Sequence, residues 1–106
     1  MALLSSLKPS EFRVLLLINE YLQVTRKKGF TYRGLRAYWS SLRLYNDVND
    51  PAHEWHTVER VIRKFAEKGF LDRKMYKKGR TKYVVFFPTP LFWELMEERE
   101  GLIHYG

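Results

Sequence analysis

The chain has 106 residues, no cysteine, 16% aromatic residues and a formal charge of +7. That length allows one small domain with a single modest core, and the lack of thiols excludes a disulfide scaffold, a thiolate metal site and a cysteine nucleophile. The longest apolar run, Val14 to Ile18, is far below the ~18 residues of a membrane span, and MALLSSLKP lacks the basic-then-apolar order of a secretory signal; a cytoplasmic protein with no membrane partner is expected.

A first helix is expected from Pro9 to Val24. Proline suits the first helical position, and Phe12, Leu15, Leu16, Ile18, Tyr21 and Leu22 recur at helical spacing. Val14 and Leu17 fall outside that stripe, which predicts burial on two sides, by the chain's own core and by a partner. A basic turn follows from Thr25 to Phe30, and Thr31 can cap a second helix over Tyr32 to Leu42 with Leu35, Tyr38, Trp39 and Leu42 inward. After the polar connector LYNDVND, Asp50-Pro51 reads as a cap and first residue for a third helix reaching Lys68, with an irregular first turn. Gly69 then supplies the left-handed stop, with Phe70 folding back on Phe65 in a Schellman ending.

FLDRKMY reads as a strand, KKGR as a turn and TKYVVFF as a second strand. Thr89-Pro90 opens a short helix over 89–100, with Leu91, Phe92, Leu95 and Met96 on its apolar side and Gly101 ending it. The expected fold class is α+β, mainly α: three helices, a two-stranded hairpin and a short C-terminal helix. It forms one domain over residues 1–106, with a core at 9–88.

The placement of charge is more informative than its total. Ten basic residues lie between Thr57 and Lys82 against Glu59, Glu67 and Asp72, whereas the rest of the chain balances nine basic against nine acidic residues. All the excess sits on one quarter of the sequence, as a polyanion-binding face requires. On the third helix, at about 100° per residue, Val58, Val61, Ile62 and Phe65 share one side. His56, Arg60 and Arg63 point away from it, with Thr57 and Lys64 on a flank. Solvation, or pairing with Glu59 and Glu67, is the plainer alternative for those cations.

Two segments carry a family resemblance. TVERVIRKFAEKGFL (57–71) resembles the third helix and strand entry of winged helix-turn-helix DNA-binding domains, and GRTKY (79–83) is similar to the wing of PadR-like regulators. The likeness covers about Pro9 to Arg99 and extends to MarR-like proteins and to small winged helices of archaea, their viruses and plasmids. The chain departs from the pattern in its long connector before the third helix and in the short C-terminal helix. The resemblance implies double-stranded DNA as partner, usually for a homodimer, with the recognition helix (about 53–68) in the major groove and the wing (76–83) on backbone or minor groove.

The residues matched to those roles are His53, Trp55, His56, Thr57, Arg60, Arg63 and Lys64 on the recognition helix, and Lys74, Lys77, Lys78, Gly79, Arg80 and Lys82 on the wing. Lys28, Thr31, Tyr32, Arg33 and Arg36 would meet the DNA backbone near the second helix. Leu3, Leu4, Leu7, Leu91, Phe92, Leu95 and Met96 exceed what one small core needs and are assigned to a dimer contact. Trp55 either wedges at DNA or covers the junction between helices. HEWH spaces its histidines by three, not the four of a zincin helix, so no metal is expected. No phosphate loop, Ser-His-Asp set or paired carboxylates appear either, so neither a cofactor nor catalysis is expected. A sequence-specific transcriptional regulator is the leading reading. A protein that spreads along DNA in an architectural or plasmid-partition role, and a protein-interaction module on the same scaffold, are the alternatives.

Overall fold

Helix α1 (Pro9–Thr25) begins with proline at its first position, where the missing N–H costs nothing. Lys8 has no acceptor to offer at the cap, so only one half of a capping box forms: Glu11 Oε1 accepts the Lys8 N–H at 3.0 Å. The structure, a computed structural model, describes residues 7–42 and 47–105, with side chains as far as residue 98. Helices α2 (Tyr32–Ser41) and α3 (Trp55–Glu67) follow, then strands β1 (Leu71–Lys78) and β2 (Thr81–Pro88), and finally α4 (Pro90–Tyr105). The described chain is thus α+β and mainly helical, with one antiparallel two-stranded sheet.

The expected caps form where the chemistry requires them. Thr31 Oγ1 accepts the Gly34 N–H at 3.0 Å to open α2. At the end of α3, Gly69 is left-handed (φ 84), the Phe70 N–H reaches the Phe65 carbonyl at 2.9 Å, and the Phe65 and Phe70 rings meet edge to face at 5.6 Å. That is the full Schellman ending, with its apolar contact. It turns the chain straight into β1, and Thr89 then donates its hydroxyl to the Gly69 carbonyl at 2.6 Å, closing the base of the hairpin. The strands pair from Leu71↔Pro88 to Lys78↔Thr81, so Gly79 and Arg80 form the whole loop. Gly79 has φ 62, the positive φ at the first loop position that a II′-type turn needs.

Three expectations are corrected. First, α3 starts at Trp55, not after Asp50. Asp50 organises a turn instead: one carboxylate oxygen accepts the Ala52 N–H at 2.8 Å while the other holds the Arg13 guanidinium at 2.8 Å. This carboxylate pins the connector to α1, and its bond to Ala52 closes a turn without opening α3. Second, α4 continues through Gly101 to Tyr105. A helical glycine costs about 1 kcal/mol relative to alanine, which is too little to end a helix whose backbone does not turn left-handed. Third, the apolar residues assigned to a dimer contact are not surplus. Phe92, Leu95 and Met96 are buried in the chain's own core, and Leu7 and Leu91 pack partly buried against it. Leu3 and Leu4 lie outside the described residues. Val14 and Leu17 are likewise buried within this one chain, so α1 is covered on several sides without a second chain.

A contact absent from the expectations joins the start of α2 to the sheet. Phe30 pairs with Phe86 of β2 through two backbone hydrogen bonds of 2.9 and 2.8 Å, and their rings stack at 5.4 Å. The preceding turn therefore lies against the hairpin as a rudimentary third strand. Gly29 permits it: a Cβ there would sit 2.7 Å from the Phe86 carbonyl oxygen and 2.8 Å from the Phe87 ring. Gly29→Ala should therefore destabilise the protein by about 1–3 kcal/mol, the usual cost of overpacking, as read from a urea or thermal unfolding curve.

Candidate nucleic-acid interface

Three elements converge on Tyr32, the first residue of α2. Its ring packs edge-on against Phe86 at 5.0 Å. The charges of Arg63 and Glu59 on α3 and of Arg73 on β1 act on its hydroxyl. Burial pushes the Tyr32 phenol above its usual value; the two arginines oppose that shift and Glu59 adds to it. The start of α2, the outer side of α3 and the root of the hairpin thus share one surface, with Tyr32 at its centre.

Helix α3 presents the sides expected of it. Val58, Val61, Ile62 and Phe65 are buried, whereas His56, Arg60 and Arg63 are exposed. The flanks differ in detail. Thr57 is half-buried, and Lys64 turns toward α1, where Lys64 and Lys68 place their ammonium groups 3.6 and 3.9 Å from Glu11 Oε2. Glu11 is only 2% exposed, and a buried carboxylate needs such partners. Lys64 thus has a structural role that helical spacing did not suggest. His53 is not on the helix at all: it lies in the preceding turn, with Nδ1 2.9 Å from the Asp50 carbonyl oxygen. Trp55 packs on Trp39 at 5.5 Å, and the Trp39 indole N–H donates to the Ala52 carbonyl at 2.9 Å. Of its two alternatives, covering the α2–α3 junction is therefore the one the geometry matches.

Between α2 and α3 runs a groove of about 510 Å³ lined by Tyr32, Arg33, Arg36, Ser40, Trp55 and Glu59. Arg36 lies over the Trp55 ring at 5.9 Å, within cation–π range. Thr31, Tyr32 and Arg33 also line a second hollow with Met75, Lys82, Tyr83 and Val84 of the hairpin. The first N–H groups of α2 have no intrahelical acceptor, and a helix N-terminus flanked by arginines is suited to a phosphate.

The hairpin sorts its cations by strand alternation. Leu71 and Phe86 are buried, so the residues in phase with them (Arg73, Met75 and Lys77 on β1, Lys82 and Val84 on β2) share the side of Tyr32. Arg73 therefore joins the site although charge clustering alone does not single it out; counting by twos from Leu71 would find it. Lys74 and Lys78 fall on the opposite side. Lys74 lies 5.7 Å over the Phe87 ring and 3.8 Å from Asp72 Oδ2. At the tip, Lys77, Lys78, Gly79, Arg80 and Lys82 are all exposed. Lys28 is also displaced from its expected place: with Arg26 and Lys27 it rims a cavity beside Phe87 and Trp93.

Among the described residues, no three His, Asp or Glu side chains are grouped as metal ligands would be; His53 and His56 flank Glu54 at 3.6 and 3.1 Å. No described helix is long and apolar enough to cross a membrane. Compared with known protein families, with curated proteins and with solved structures, the chain matches none.

Proposed function

We propose that this chain is a winged helix-turn-helix protein that binds double-stranded DNA with sequence preference, as a transcriptional regulator does. The observation that carries the reading is the junction at Tyr32, whose ring packs on Phe86 of β2 and which lines both the groove against α3 and the hollow beside the hairpin. It makes the outer side of a helix and one side of a basic hairpin a single surface. A protruding helix fits the major groove, where an arginine can clasp guanine through two hydrogen bonds. His56, Arg60 and Arg63 are the base-reading candidates, and Glu59 can accept from a cytosine amino group. Arg33, Arg36, Arg73, Lys77, Arg80 and Lys82 would take phosphates. The Phe30–Phe86 bridge adds to the likeness, because it gives the wing a short third strand at its root.

With about six to eight phosphate contacts, log affinity for duplex DNA should fall against log salt with a slope of about −5 to −7. An anisotropy titration measures this directly, and no duplex binding at low salt would reject the reading. A bounded footprint supports a regulator; protection that lengthens with protein concentration supports spreading along DNA. As a homodimer the protein would hold two recognition helices about one DNA turn apart. Its pairing surface would then lie outside the core positions Phe92, Leu95 and Met96, and sedimentation at micromolar concentration tells one chain from two.

A further inference from the structure

The sheet has a second side, and its composition differs from the first. Out of phase with the buried residues lie Asp72, Lys74, Tyr76 and Lys78 on β1 and Tyr83, Val85 and Phe87 on β2. Tyr76 and Tyr83 are 40% and 41% exposed and stack across the strands at 5.7 Å with their planes 19° apart. Phe87 continues the series, its ring 6.5 Å from Tyr76, with Lys74 lying 5.7 Å above it. Phe87 then leads into a cavity of about 760 Å³ shared with Trp93, which is 39% exposed. Arg26, Lys27 and Lys28 rim that cavity, and none of its lining residues is acidic. Asp72, the acid on this side of the hairpin, stands 3.8 Å from Lys74.

We propose that this side binds single-stranded nucleic acid, with Tyr83, Tyr76, Phe87 and Trp93 as a row of stacking surfaces and Lys28, Lys27, Arg26 and Lys74 holding the backbone. Exposed aromatic faces interleaved with cations are what an unpaired strand needs, since each base presents a π-face and each phosphate a charge. A duplex cannot use them, because its bases are already stacked and paired. The strand segment from Tyr83 to Phe87 spans about 13 Å at the usual rise per residue, and the cavity extends the track beyond it. Plain solubilising charge would not require rings exposed among the cations. The site lies on the opposite side of the sheet from Tyr32 and so stands independently of the duplex reading.

Anisotropy with a labelled thymidine strand of about ten nucleotides, within the range of such sites, tests it; a uridine strand of equal length tells DNA from RNA preference. Tyr76→Ala and Trp93→Ala should each weaken single-strand binding by roughly fivefold to a hundredfold, while Tyr76→Phe retains it. Arg63→Ala should leave single-strand binding unchanged and weaken duplex binding only, so the two sites fail separately. The proposal is overturned if the wild-type chain binds neither strand at low salt. It is equally overturned if Trp93→Ala and Tyr76→Ala, with unchanged circular dichroism and melting, bind as the wild type does.

Discussion

Arg63→Ala should weaken binding to a preferred duplex by about 1–3 kcal/mol and relax the base preference at one position. The size of the effect follows from its place. Arg63 is exposed on the outer side of α3, one helical turn beyond Glu59, which lines the groove against α2. A guanidinium there can clasp guanine through two hydrogen bonds, which no other base accepts in the same way. Lys77→Ala, on the Tyr32 side of the hairpin, is the matched comparison. It removes a charge at the exposed hairpin tip, so it should weaken all duplex sequences alike and lower the salt slope by about one. Binding to ranked duplex variants at two salt concentrations separates the two behaviours. If Arg63→Ala lost affinity equally for every sequence, its assignment as a base reader would be wrong and a phosphate contact would replace it.

Phe86→Ala should cost about 3–5 kcal/mol of stability, the range for removing a fully buried phenylalanine. For a small domain that is a large share of the whole. Phe86 is 1% exposed, exchanges both backbone hydrogen bonds with Phe30, stacks on the Phe30 ring and holds the Tyr32 ring edge-on. Its loss would leave a cavity where α2, the turn before it and the sheet meet. Since Tyr32 organises the proposed interface, duplex binding should fall with stability even under conditions where the variant stays folded. Lys82→Ala, exposed on the same strand, should change stability by no more than about 0.5 kcal/mol. Chemical unfolding of the two variants beside the wild type makes the comparison, and a Phe86→Ala cost below that of Lys82→Ala would remove Phe86 from its central position.

Local signals in the sequence were legible wherever one residue type answers one local need. Thr31 at the cap, Gly69 with Phe70 at the Schellman ending, and Gly79 in the two-residue loop are each dictated by short-range geometry, and each forms as the residues suggest. The inward stripe of α3 was legible for the same reason, because a helical period is written directly in residue spacing. Asp50 misled because its cap-type bond to the Ala52 N–H closes only a turn, while Arg13, far away in sequence, pins that turn to α1 through the other carboxylate oxygen. The length of α4 misled because a glycine in a helix is a modest cost and not a command.

What the sequence determined by itself was the set of elements, the identity of the buried helical stripe and the concentration of charge between Thr57 and Lys82. Tertiary structure alone decided which cations share a side. It brought Arg73 to the side of the sheet that Tyr32 packs on, sent Lys64 to the buried Glu11, and put Lys28 and Lys74 behind the sheet. It also placed Phe92, Leu95 and Met96 in the chain's own core. The physical reason is range. Caps, turns and periodicity depend on neighbours within a few residues, whereas the partner of a long charged side chain depends on which distant element packs beside it.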